Sequence, residues 1–139
     1  MVCLRQCRER ENPMPQDQIH IAVFRVLSPD TNKNAADRVG RQYILAMYYD
    51  PALDDPHILM TCDGSGAQRG NMALTRFADV EDMMDAAWEK VRRRFNNGYT
   101  MTWCSAGFAF MDKIERGGYA VDLREKFIPP GVQLHLKLS

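Results

Sequence analysis

Net charge is the first thing this sequence lacks. Its 18 Lys and Arg residues are balanced by 18 Asp and Glu. Proteins that hold nucleic acid through bulk positive charge usually show an excess, so global charge lends that class no support, and only a local basic patch could serve it. Long apolar runs are missing too. No stretch approaches the roughly 18 residues that a membrane-spanning helix needs. The opening MVCLRQCRERENP has no apolar segment of the kind a secretory signal carries. A reducing, cytoplasmic setting is the expectation. Cysteine is scarce and poorly spaced for a metal. Cys3 and Cys7 have no second pair, and His20, His57 and His135 are scattered, whereas zinc sites favour paired C-x2-C spacing. Cys62 and Cys104 sit inside apolar runs, where a thiol behaves as a small hydrophobe. Neither a metal nor a cofactor is expected. Internal repeats and low-complexity tracts are absent as well.

What remains is enough for one domain with its own core. The chain has 139 residues, 45% of them hydrophobic. Residues 1–18 read as a flexible N-terminal tail: polar, without periodicity, carrying Pro13 and Pro15, and with Met14 as an alternative start. Residues 19–139 read as a single α+β domain.

Strand signals come first. IHIAVFRVLS (19–28) is rich in β-branched and aromatic residues, with Ile19, Ile21 and Val23 on one face and His20, Ala22 and Phe24 on the other. A loop-like PDTNKNAADRVG (29–40) follows, then RQYILAMYYD (41–50), a PALDDP turn, and HILMTCDG (57–64). GSGAQRG turns the chain into NMALTRF (71–77). Strands joined directly by turn chemistry predict an antiparallel meander, not βαβ units.

The next segment reads as a helix. Val80, Met83, Met84, Ala87, Trp88, Val91 and Phe95 recur at helical spacing. Asp79 is a suitable N-cap, with Asp82 three residues on. Acids fill the first half and Lys90, Arg92, Arg93 and Arg94 the last turns, both matched to the helix dipole. Asn96-Asn97-Gly98 stops it, with Gly98 suited to a left-handed cap. YTMTWCSAGFAF (99–110) reads as a fifth strand, with Tyr99, Met101 and Trp103 alternating against Thr100, Thr102 and Cys104. DKIERGGY reads as a turn, AVDLREKF as a short helix or an edge strand, and QLHLKLS (133–139) as a half-buried terminal strand. The fold class expected is a twisted antiparallel sheet of about five or six strands packed against one main helix. The helix stripe should rest on Phe24, Ile44, Leu59, Leu74 and Trp103 or their neighbours.

This order of elements resembles the WGR domain family. The matching pieces are ILMTCDGSGAQRG for a glycine-rich turn, MALTRFADVEDMMDAAWEKVRRRF for strand plus helix, and NNGY for the helix ending. The resemblance spans roughly residues 19–103 and implies a small twisted sheet on one helix. It also implies a binding role at nucleic-acid ends or at an interface. Aligning Gly64 with the glycine of the family's Trp-Gly-Arg tripeptide sets Asp63 at the tryptophan and Ser65 at the arginine. Those exchanges remove the stacking face and the phosphate contact, and Arg69 and Arg76 are placed to supply charge from the same hairpin.

Other candidate sites have plainer explanations. The DGSGAQRG turn could cradle phosphate, but such loops open onto a helix and this one leads into a strand. Asp50, Asp54, Asp55 and His57 fall in a proline-flanked turn, where Asp is ordinary turn chemistry. Cys62, Cys104 and Ser105 carry no nucleophile signature. The leading expectation is therefore a small non-enzymatic binding module. It would contact nucleic acid, or a protein that handles it, through Arg69, Arg76, Arg92 and Arg93. The alternatives are a protein–protein effector or inhibitor from a mobile element, and an unrecognised enzyme. A homodimer through the QLHLKLS edge is a further expectation, and no membrane partner is expected.

Overall fold

The computed structural model describes residues 19–27, 40–65 and 71–125. The tail at 1–18, the loop at 28–39, the tip of the glycine-rich turn at 66–70 and the expected terminal strand at 133–139 lie outside the described residues.

Five strands form one antiparallel sheet: β1 (His20–Arg25), β2 (Arg41–Tyr49), β3 (His57–Ser65), β4 (Asn71–Phe77) and β5 (Thr100–Cys104), in the order β4-β3-β2-β1-β5. The meander is continuous from β1 to β4. Tyr43 pairs with Asp63 and Asp63 with Asn71, so the glycine-rich turn joins two hydrogen-bonded strands. β5 then returns across the sheet to the far side of β1.

The long helix α1 (Val80–Asn96) packs on one face. Its N-cap is Asp79, whose carboxylate accepts from the Glu81 N–H at 2.8 Å. At its other end Gly98 takes a left-handed φ of 86°, and the Tyr99 N–H donates to the Arg94 carbonyl. Met83, Ala87 and Val91 are fully buried against Ala22, Phe24, Tyr43, Leu45, Met47, Leu59 and Met101. Period-2 alternation sends the intervening residues to the opposite face, where Ile21, Val23, Ile44, Ala46, Met60 and Cys62 form a second apolar cluster with Trp103.

Three expectations change here. Phe24 and Leu59 do meet α1, but Ile44, Trp103 and Leu74 point away from it. Ile44 lies between Tyr43 and Leu45, and both of those face the helix. For β5 the cause is a register shift between Val23 and Phe24. Val23 opposes Trp103 while Phe24 opposes Met101. A bulge of this kind places one extra residue on β5, so Met101 and Trp103 fall on opposite faces. The strand also ends early, at Cys104. A second short helix, α2 (Met111–Arg116), occupies much of the segment read as a turn, with Ile114 buried under Phe110 and Trp88. Past it, Val121 bridges in parallel to Met101, and the chain runs along the outer side of β5 as far as Glu125.

Candidate binding surface at one end of the sheet

The register brings several arginines to a single end of the sheet. β2 begins at Arg41, opposite Ser65 at the end of β3; Arg25 at the end of β1 lies opposite Gln42 on one side and Thr100 on the other. α1 finishes at this same end, because β5 starts immediately after it. Arg25, Arg41, Arg92, Arg93 and Arg94 therefore share it.

Among these cations, Arg94 lies against aromatic rings. Its guanidinium carbon lies 3.9 Å from the centroid of the Tyr43 ring and 5.6 Å from that of Tyr99. Both rings are buried. Burial pushes the Tyr43 phenol above its ordinary range, and the nearby Arg94 charge works against the shift. Buried Nε of Arg94 finds no hydrogen-bond partner among the described residues. A planar guanidinium fixed between aromatic rings suits an incoming oxyanion, since its fork geometry is already set.

The neighbouring arginines differ in how they are paired. Arg92 makes a two-pronged contact with Glu89, at 2.6 and 2.8 Å. That hydrogen bond holds the Glu89 carboxyl below its usual range. Glu89 thus pairs with Arg92, three residues on, and not with Arg93, four residues on; the two separations are equally close on a helix surface. Arg93 and Arg41 are exposed and carry no ion pair among the described residues. Arg25 is held by Glu125 at 2.6 Å, and Glu125 also accepts from Thr102. Burial acts to raise the Glu125 carboxyl, but these hydrogen bonds and the Arg25 charge outweigh it and draw it below the usual range.

Of the four residues expected to form one surface, Arg92 and Arg93 lie at this end. Arg76 lies near the other end of the sheet, opposite Ile58, on the face turned away from α1. Arg69 is outside the described residues. Arg94 and Arg41 were not singled out from sequence. No local signal singled them out: Tyr43, the ring beneath Arg94, lies on a strand apolar on both faces, and alternation there does not say which face the helix covers.

The remaining polar candidates are engaged in holding the fold. Ser105 Oγ accepts from the Ile21 N–H at 2.9 Å, and His20 Nδ1 accepts from the Ala109 N–H at 3.1 Å. Asp50 accepts from the Ala52 N–H within its own turn, and His57 packs against Tyr49. Burial raises the Cys104 thiol, with Glu115 adding to the effect, which opposes thiolate reactivity. Among the described residues, no three His, Cys, Asp or Glu gather as a metal site, and no helix is long and apolar enough to cross a membrane.

No family model matches the chain, and neither a curated protein nor a solved structure matches it.

Proposed function

We propose that this chain is a small binding module, acting without catalysis, that holds a phosphate-bearing nucleic acid at the arginine end of its sheet. One observation carries the reading: Arg94 sits over Tyr43 with a buried Nε unmatched among the described residues, beside exposed Arg93 and Arg41, which make no ion pair among those residues. Exposed cations next to a rigid guanidinium can follow a phosphate backbone while net charge stays at zero. The likeness to WGR domains belongs to the same proposal, since a small antiparallel sheet under one helix is the architecture it implies. A cytoplasmic location goes with it.

The test is a fluorescence-anisotropy titration with single-stranded, blunt and nicked DNA and RNA at two salt concentrations. Binding should be saturable, with a log–log salt slope of about −2 to −3 on duplex DNA for two or three phosphate contacts. Arg41→Glu with Arg93→Glu should abolish it, and Arg76→Glu, near the other end of the sheet, should leave it unchanged. Absent or salt-independent binding refutes the reading. A protein partner is the second reading, favoured by the Glu89–Arg92 pair, which neutralises one cation of the patch. It requires a partner whose capture survives nuclease treatment.

A further inference from the structure

β4 is an outermost strand of the sheet among the described residues, and its free side can be read from the hydrogen-bond pattern. In β2, the Arg41 carbonyl accepts from Val26 on the β1 side, while the Asp50 N–H donates to Pro56 on the β3 side. Antiparallel pairing alternates, so the odd residues of β2 turn their backbone groups to β1 and the even ones to β3. Carried through the registers of β2 with β3 and of β3 with β4, this alternation turns Asn71, Ala73, Thr75 and Phe77 toward β3. The N–H and C=O groups of Met72, Leu74 and Arg76 point outward.

The same three residues place their side chains beside Cys62, Met60 and Ile58, on the face opposite α1. Met72 and Leu74 are 47% and 46% exposed. Edges of this kind are normally blunted by proline, lysine, a bulge or a covering segment. β4 has no proline, no lysine and no break in its seven-residue register, and a single charge, Arg76.

From this arrangement we propose that two copies of the chain associate through β4, paired antiparallel about a two-fold axis at Leu74. This inference stands apart from the arginine end and from the function proposed for it. Leu74 is the middle residue of β4, so this register sets Leu74 opposite Leu74 of the second copy and Met72 opposite its Arg76. Every outward backbone group then meets a complementary one, each pair exchanging two hydrogen bonds. The apolar faces of both sheets run together across the axis. The two Arg76 side chains stand four residues apart along the strand, about 13 Å, beyond the screening length of physiological salt. Both copies use the same strand, so the assembly closes as a dimer. Residues 126–139 are less suited to fill this edge, because they leave the described structure at Glu125, beside β5 on the opposite side of the sheet.

Sedimentation equilibrium of the full chain tests the association, and cysteine cross-linking tests the register. The wild-type protein should form a dimer, and Leu74→Lys should weaken it at least tenfold with an unchanged circular-dichroism spectrum. With Cys3 and Cys7 replaced by serine, Leu74→Cys should cross-link on mild oxidation, since Cα atoms of a hydrogen-bonded pair lie about 5.5 Å apart, within disulfide reach. Asn71→Cys should not, because the two copies of that residue would stand about 20 Å apart. A protein that stays monomeric to about 100 µM, or a dimer indifferent to Leu74→Lys, overturns the proposal.

Discussion

Arg94 sits over the Tyr43 ring, 3.9 Å from ring centroid to guanidinium carbon, and so ties the last turn of α1 to the second strand of the sheet. The contact joins residues 51 apart in the chain, at the end where the helix dipole is negative. Arg94 thus serves stability as well as the proposed binding surface, and the two roles are separable. A double-mutant cycle of Arg94→Met and Tyr43→Leu should show a coupling of about 1 kcal/mol in urea unfolding, the range of a partly desolvated cation–π pair. Zero coupling would mean that the guanidinium is held by other groups.

Acid should destabilise the fold through His20. This side chain is buried, with Nδ1 accepting from Ala109, and burial lowers its pKa. The unfolded chain therefore binds the proton more readily, so stability is full above the ordinary histidine pKa of about 6.5 and declines as pH falls below it. His20→Asn keeps an acceptor in roughly the Nδ1 position and cannot titrate. Its unfolding midpoint should be flatter between about pH 7 and 5 than that of the wild type.

Glu125 works with the opposite sign. Its folded pKa is drawn below the ordinary carboxylate value, so the stability it contributes is present at neutral pH and is lost as pH falls through the folded value. Arg25 and Glu125 are about three-quarters buried, with side-chain exposures of 25% and 24%. Cycling Arg25→Met against Glu125→Gln should give roughly 1 kcal/mol of coupling at pH 7, little of it left at pH 3. An equal coupling at both values would count against an ionic pair.

Gly98→Ala should cost about 1 kcal/mol. A Cβ at this position meets nothing within 4 Å, so the penalty is the left-handed backbone alone. Thermal unfolding provides the check, and a neutral substitution would show that the cap can relax.

The architecture was legible in this sequence for a local reason. Meander strands and the α1 stripe are set by turn residues and periodicity within a few positions, and Asp79 and Gly98 bracket the helix as their chemistry requires. The facing of the strands was not legible. A sheet apolar on both sides offers two equivalent faces, so alternation at Tyr43, Ile44 and Leu45 cannot say which one the helix covers. The bulge opposite Val23 and Phe24 is set by pairing across some 80 residues, and nothing near Thr102 announces it. α2 escaped because six residues contain barely more than one helical repeat. The basic run at 92–94 was visible, but Tyr43, the nearer of the two rings that single out Arg94, lies far away in sequence.

β1 comes early in the chain yet sits inside the sheet, between β2 and β5. Synthesis on the ribosome runs the other way, since Thr100–Cys104 is among the last described elements to be made. Until those residues clear the exit tunnel, one flank of a strand with four apolar residues at its centre has no hydrogen-bonding neighbour from β5. Until then the nascent chain has a templating edge open, which invites chaperone capture or mispairing between adjacent polysomal chains. Slow translation upstream of Thr100 would lengthen that exposure, and fast completion would shorten it.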